Sequence, residues 1–234
     1  MTKSKTAVKN AGEFERLNSK RGEQMKYLGK PAGMWALFAG SFEKHLTVEF
    51  DLTAEQAKDV AARAKKKYRE IIAKLPEFDK RDRFETNIVN CAMLAAFILC
   101  MPQRPDIKTL TDYYAAAMMT PTMKAFCRAS GKKKFTPKDI EGMKATAKLR
   151  AGDRNPYSWN MDFFEYEDGS GYEARFTTCG ICTLMQVLGL YDLTPALCHL
   201  DYTMSDAGGA SDFVREYTLA SGGPYCDCGY HKKQ

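Results

Sequence analysis

The sequence predicts an α+β fold, with a helical N-terminal half packed on a small antiparallel sheet formed mainly by the C-terminal third. Two observations carry this prediction. Up to residue 152, long segments repeat apolar residues at helical spacing, and beyond it short strand-like segments surround glycine-rich turns. No linker composition separates the two regions. We therefore expect a single domain over 1–234, with a polar arm at 1–30, a mainly helical part at 31–152 and an α+β part at 153–234.

The helical part contains recognisable start and stop signals. Thr53, with Gln56 three residues later, has the pattern of a capping box, and Pro121 should kink or divide the helix around it. The segment 83–101 is apolar on most sides, which predicts a central helix. The five predicted helices span 33–46, 52–75, 83–101, 106–129 and 136–152.

The C-terminal third alternates hairpins and helices. "EDGSG" lies between two strand-like segments and predicts the turn of a hairpin. "SGGP" predicts a second turn, and Thr194 is a candidate N-cap for a helix beginning at Pro195. The predicted elements are strands at 158–167 and 171–178, helices at about 179–189 and 195–205, and strands at 211–220 and 225–232.

The composition indicates a soluble globular protein, with 44% hydrophobic and 27% charged residues and a net charge of +6. The most apolar segment, "CAMLAAFILCM" from Cys91, is about half of the ~18–20 residues that a membrane helix needs. The basic N-terminus has no apolar stretch after its charges, so we expect a cytoplasmic protein without a membrane partner.

Two basic runs, "RAKKKYRE" and "GKKKF", account for much of the positive charge. A groove for single-stranded nucleic acid would interleave aromatic residues with the basic ones, and only Tyr68 and Phe135 do so here. We therefore interpret both runs as solvated surface and expect no nucleic-acid partner.

The eight cysteines fall into two groups. Cys91, Cys100 and Cys127 lie in apolar helical segments and read as core residues. The others fall on three elements of the C-terminal third that could converge. They are Cys179 and Cys182 at a helix start, Cys198 beside Asp201 three residues on, and Cys226 and Cys228 on one face of a strand.

The residues alone leave four interpretations of these thiols open. They are core packing, a redox pair in "CGIC", a structural zinc site formed by "CGIC" and "CDC", and a catalytic thiol. In the last, Cys198 and Asp201, with Cys182 or Cys226 opposite, would supply a nucleophile and a proton carrier. His199 would point about 100° away from Cys198 on a continuous helix, so it is not the expected base.

No Walker loop, GxGxxG, HExxH or Ser-His-Asp order is present, so we expect no nucleotide cofactor, and no other cofactor or resident metal. The segments "LGLYDLTPALCHLDYT", "REYTLASGG" and "CDCGY" instead resemble the C-terminal block of the L-2-amino-thiazoline-4-carboxylic acid hydrolase family. The chain departs from that pattern at Gly223-Pro224 and at Cys228, where the family has an aromatic residue, and Cys179 has no counterpart. The matching positions are Cys182, Gly189, Cys198, Asp201, Thr218, Leu219, Ala220, Gly222, Cys226 and Asp227.

The resemblance implies a bacterial hydrolase that opens a small cyclic isothiourea; the namesake reaction converts 2-amino-thiazoline-4-carboxylate to N-carbamoyl-cysteine. We expect Cys198 to attack while Asp201 shuttles the proton. Asp201 or Glu216 activating a water, or Cys182 as nucleophile, are the alternatives.

The candidate substrate-binding residues are Arg175, Arg215, Glu216 and Thr218. A looser similarity to 4-vinyl-reductase-type domains leaves a second functional interpretation open. In it, the chain is a non-catalytic small-molecule-binding module or a zinc-stabilised one.

Overall fold

The computed structural model describes residues 30–152 and 154–233, so the expected polar arm lies outside the described residues except for Lys30. The prediction of an α+β fold is confirmed. The helices are α1 Lys30–Glu49, α2 Ala54–Ile72, α3 Glu85–Cys100, α4 Ile107–Met118, α5 Pro121–Gly131, α6 Pro137–Arg150, α7 Gly180–Val187, α8 Thr194–Cys198 and α9 Leu200–Gly208. The strands are β1 Asp162–Glu165, β2 Gly171–Phe176, β3 Ser211–Val214 and β4 Cys226–Lys232.

The helical half follows its sequence signals. Thr53 and Gln56 form the expected capping box at the start of α2. The segment around Pro121 is divided, because Thr120 caps a new helix by accepting the Met123 amide at 3.2 Å. Helix α3 is buried on nearly every side, as its apolar composition predicts, and forms the centre of the helical core.

The four strands form one antiparallel sheet in the order β1-β2-β4-β3. The first predicted hairpin is confirmed, with Glu165 opposite Tyr172. Strand β4 lies between β2 and β3, so both of its neighbours fix its register. Cys226 and Cys228 consequently share one face of the sheet.

Two predicted strands are shorter than expected. The segment 158–167 is a strand only over Asp162–Glu165, and the segment 211–220 only over Ser211–Val214. In the second case the carboxylate of Asp227 accepts the amides of Glu216 at 2.8 Å and Tyr217 at 2.6 Å. These amides are therefore not available to a sheet ladder, and β3 ends at Val214.

The predicted helix over 195–205 is two helices. Helix α8 ends at Cys198, α9 begins at Leu200, and His199 lies between them. Thr194 is not an N-cap: it is the first residue of α8, follows a 3-10 turn at Tyr191–Leu193, and its hydroxyl has no hydrogen-bond partner. The 3-10 turn leads directly into α8, so the helix begins without a capping side chain.

The helical core and the sheet meet through a buried ion pair. Arg150, at the end of α6, pairs with Asp82 at 3.2 Å, and both side chains are almost fully buried. The same guanidinium donates to Ser158 Oγ at 2.7 Å and to the Trp159 carbonyl at 2.9 Å. This contact joins the helices to the segment that enters β1. Among the described residues, none of the helices combines the length and the hydropathy that crossing a bilayer requires.

Candidate active site

A cleft of about 250 Å³ opens where α8, α9 and the loop after β3 meet. We call it the Cys198 cleft. Four of the expected site residues border it, namely Cys198, Arg215, Glu216 and Thr218. The full lining is Pro195, Cys198, His199, Tyr202, Arg215, Glu216, Thr218 and Ser221.

Arg215 is the residue that holds this region together. It lies just after β3, and only 6% of its side chain is exposed. Its Nη1 donates to the Cys198 carbonyl at 2.9 Å, and its Nη2 donates to the Asp201 carboxylate and to Cys228 Sγ, the latter at 2.9 Å. One guanidinium thus ties the junction of α8 and α9 to β4, and its charge stays inside the fold because a carboxylate balances it.

The thiol of Cys198 is protonated at neutral pH. Burial raises its pKa well above the usual range, and the nearby Arg215 charge offsets this only in part. A nucleophilic Cys198 therefore needs a proton acceptor in the same cleft. His199 and Glu216 both border it.

Asp201 lies on the other side of Arg215. Its carboxylate accepts from the guanidinium, 44% of its side chain is exposed, and it borders a separate cleft. The Arg215 guanidinium therefore separates the Asp201 carboxylate from the Cys198 cleft. The expected pair of Cys198 and Asp201 is close in space but is bridged by an arginine.

The two cysteines of β4 have different partners. Cys226 Sγ accepts the Leu219 amide at 3.2 Å, and burial raises its pKa. Cys228 accepts from Arg215, yet burial raises its pKa to about 12. Both thiols are therefore protonated hydrogen-bonding residues that fix the loop after β3 onto the sheet.

Cys179 and Cys182 interact at the start of α7. The Cys182 thiol donates to Cys179, which lowers the pKa of Cys179, and the amides of Ile181 and Cys182 act in the same direction. The same hydrogen bond raises the pKa of Cys182, burial raises it as well, and a negative charge on Cys198 or Cys226 would raise it further. Cys182 therefore lies within electrostatic reach of the other two predicted site thiols.

Two further candidates take structural positions. Arg175 is opposite Asp227 in the register, on the sheet face away from Cys226 and Cys228. It pairs with Glu173 at 2.7 Å and stacks on Tyr225. Thr218 borders the Cys198 cleft, but its hydroxyl also caps the short 3-10 turn at Leu219–Ser221.

Two residues that were not expected at a site, His199 and Lys134, line clefts in the structure. His199 borders the Cys198 cleft because α8 ends just before it, and no sequence signal marked that division. Lys134, read as part of a solvated basic run, is half-buried against aromatic rings. Over residues 30–152 and 154–233, no three histidine, cysteine, aspartate or glutamate side chains are arranged as metal ligands.

The comparison with protein families agrees with the resemblance read from the motifs. The model of the L-2-amino-thiazoline-4-carboxylic acid hydrolase family matches residues 81–230, which is more than half of the 234-residue chain. No curated protein and no solved structure matches this chain. The matched region runs from just before α3 to the middle of β4 and includes every residue of the Cys198 cleft. The chain belongs to the L-2-amino-thiazoline-4-carboxylic acid hydrolase family.

Proposed function

We propose that this protein opens a small cyclic isothiourea of the aminothiazoline-carboxylate type by hydrolysis in the Cys198 cleft. The observation that carries the proposal is a thiol on the wall of a cleft sized for a small molecule, with an imidazole and a carboxylate on the same wall. The reaction class is taken from the family, and the cleft has room for a small substrate.

In the proposed reaction Cys198 is the nucleophile. Its thiol gives up a proton, and the thiolate adds to the ring carbon that lies between two nitrogens and the ring sulfur. The bond from that carbon to the ring sulfur breaks, and the sulfur leaves with the proton, so the ring opens. A water then adds to the resulting isothiourea adduct, expels Cys198 as a thiol and leaves a carbamoyl product.

His199 is the proposed proton acceptor. The buried thiol of Cys198 holds its proton tightly, so attack requires a base within the cleft. Imidazole is the side chain that most often fills this role, and Glu216 is the other acceptor on the wall. Arg215 acts as a positioning residue, because its contact with the Cys198 carbonyl fixes the backbone that carries the thiol. Asp201 in turn holds Arg215 in place.

The test supplies the full-length protein with 2-amino-thiazoline-4-carboxylate and follows N-carbamoyl-cysteine by mass spectrometry. Cys198→Ser should abolish ring opening, and His199→Gln should lower kcat by about 10²–10⁴-fold. Cys100→Ser is the matched control, since Cys100 is a buried thiol of α3 and does not border the cleft. Retained ring opening in Cys198→Ser, with the melting temperature unchanged, would overturn the proposed nucleophile.

A binding role without turnover is the second candidate. Its supporting observation is the raised pKa of Cys198, because a protonated thiol can line a binding cleft without reacting. In that case calorimetry would detect binding of the aminothiazoline, no carbamoyl product would form over hours, and Cys198→Ser would bind with the wild-type affinity. A covalent adduct on the peptide carrying Cys198 would exclude this candidate.

A further inference from the structure

A second cleft lies across the ion pair of Arg215 and Asp201 from the Cys198 cleft. It has a volume of about 280 Å³ and is formed by the C-terminal end of α5, the start of α6, strands β2 and β4, and α9. We call it the Lys134 cleft, after the cation in its wall. Its charged lining is Arg83, Lys134, Asp139 and Asp201, and its aromatic lining includes Tyr172 and Tyr230.

The two carboxylates of this cleft already have partners. Asp139 Oδ2 accepts the Phe135 amide at 2.9 Å and the Tyr172 hydroxyl at 3.0 Å. The carboxylate of Asp201 accepts from Arg215. The acidic side of the cleft is therefore largely satisfied by groups of the protein itself.

The two cations of the cleft, Lys134 and Arg83, have weaker partners than its two carboxylates. The Lys134 ammonium lies 3.3 Å from the centre of the Tyr230 ring, and the Arg83 guanidinium donates to the sulfur of Met143 at 3.7 Å. In the part of the chain that the structure describes, neither cation forms an ion pair with a carboxylate. Burial lowers the pKa of Lys134, attraction to Asp139 offsets this in part, and repulsion from Arg83 adds a smaller lowering. An anion bound between the two cations would reduce both the cost of burying the Lys134 charge and the repulsion between Lys134 and Arg83.

Lys134 is held in place by its neighbours. The rings of Phe135, Tyr172 and Tyr230 lie within 5.7 Å of its ammonium. Phe135 has a φ of +62°, a conformation that an aromatic residue rarely adopts. The hydrogen bond from its amide to Asp139 stabilises that turn. The three rings and the unusual backbone conformation of the adjacent Phe135 therefore hold Lys134 at the wall of the cleft.

We propose that the Lys134 cleft binds a small monocarboxylate with a planar or apolar body, its carboxylate between Lys134 and Arg83. The two cations supply a charge-assisted clamp. Met143, Met204 and the tyrosine rings offer apolar surface for the body of the ligand. Because Asp139 and Asp201 also border the cleft, a doubly charged anion such as sulfate is disfavoured. This inference is independent of the ring-opening reaction.

Isothermal titration calorimetry of the full-length protein with benzoate, at pH 7 and constant ionic strength, tests the proposal. Benzoate should bind, sulfate should bind at least about tenfold more weakly, and Lys134→Met should weaken benzoate binding at least about tenfold. Lys132→Met is the matched control, since Lys132 belongs to the same basic run but is exposed. This variant should bind benzoate with the wild-type affinity. Absence of benzoate binding to the wild type, or equal affinities of Lys134→Met and wild type, would overturn the proposal.

A second variant keeps the test informative if Lys134→Met does not fold. Arg83 is exposed, so Arg83→Met should keep the melting temperature while weakening benzoate binding several-fold. Cys198→Ser should bind benzoate with the wild-type affinity, because the thiol belongs to the other cleft. If Cys198→Ser loses benzoate binding and Arg83→Met does not, the carboxylate occupies the Cys198 cleft and the assignment to the Lys134 cleft is wrong.

Discussion

The helices and the sheet are stabilised in different ways. The helices enclose a large apolar core centred on α3, whereas the separate apolar cluster at the sheet is small and comprises Met161, Ala174, Phe213 and Cys228. The sheet region depends in addition on buried polar residues such as Arg150 and Arg215, each of which donates several hydrogen bonds. Apolar contacts are numerous and tolerate replacement, while each polar contact is specific and difficult to replace.

The largest expected effect is loss of the polar contact that joins the two regions. Arg150→Met leaves Asp82 buried without its cation, which should lower the free energy of unfolding by about 3–5 kcal/mol. Urea unfolding followed by circular dichroism measures it. Arg63→Met is the control, because the pair of Arg63 and Asp59 is exposed and should contribute little. Similar destabilisation in Arg150→Met and Arg63→Met would mean that the buried ion pair contributes no more to stability than the exposed one.

A cavity in the helical core should come next. Leu94 is fully buried in α3, so Leu94→Ala removes packing and should cost about 2–5 kcal/mol. Because other apolar contacts remain, the transition should stay cooperative. Leu37→Ala, at a position that is 58% exposed in α1, should change the free energy of unfolding far less. A loss of cooperativity in Leu94→Ala would show that the helical core is as intolerant as the polar contacts.

A smaller effect concerns Lys134, at the boundary between the two regions. Its pKa is about 8 in the folded protein and about 10.5 in the unfolded chain, because burial disfavours the charge. Between these values the unfolded chain binds more protons, so stability rises with pH. The unfavourable contribution of Lys134 is complete below pH ~8 and is lost as pH approaches ~10.5.

Unfolding of the wild type and of Lys134→Met, compared between pH 7 and 9.5, measures this contribution. The wild type should gain stability relative to the variant over this interval. The other groups facing Lys134 are present in both proteins and therefore cancel; they are Arg83, Asp139, Asp201, Cys228, Tyr172 and Tyr230. A difference that does not change with pH would contradict the burial of the ammonium.

The smallest predicted effect is at a helix cap. Thr53→Ala removes the hydrogen bond from the Gln56 amide at the start of α2 and should cost about 1 kcal/mol. Thr53→Ser keeps the hydroxyl and serves as the control, with nearly wild-type stability. Equal losses in the two variants would mean that the cap is not the source of the effect. This local contribution should be well below that of Arg150, which bridges the two regions.

The parts of the fold that follow from local signals were predictable. The capping box at Thr53, the division at Pro121 and the hairpin around "EDGSG" each depend on residues within a few positions of one another. The predicted strand at 211–220 failed because the carboxylate of Asp227 binds the amides of Glu216 and Tyr217. That contact spans ten residues or more, and no local propensity encodes it.

Part of the list of site residues was predictable, but their arrangement was not. Motif spacing drew attention to Cys198 and Asp201, the need for a cation drew attention to Arg215, and all three meet in the structure. Spacing could not show that the guanidinium of Arg215 would lie between Cys198 and Asp201. Nor could it show that His199 would border the cleft, since the division of the helix at that residue has no signal in the sequence.

By itself, the sequence determined the fold class, most helix boundaries, the family and several of the residues at the candidate site. These depend on periodicity, capping and motif spacing, which act over a few residues. Only the tertiary structure decided which side of Arg215 each polar group occupies, and that Lys134 is half-buried among aromatic rings instead of solvated. The physical reason is that burial and electrostatic partners come from elements far apart in the chain, and they set the charge state of each side chain.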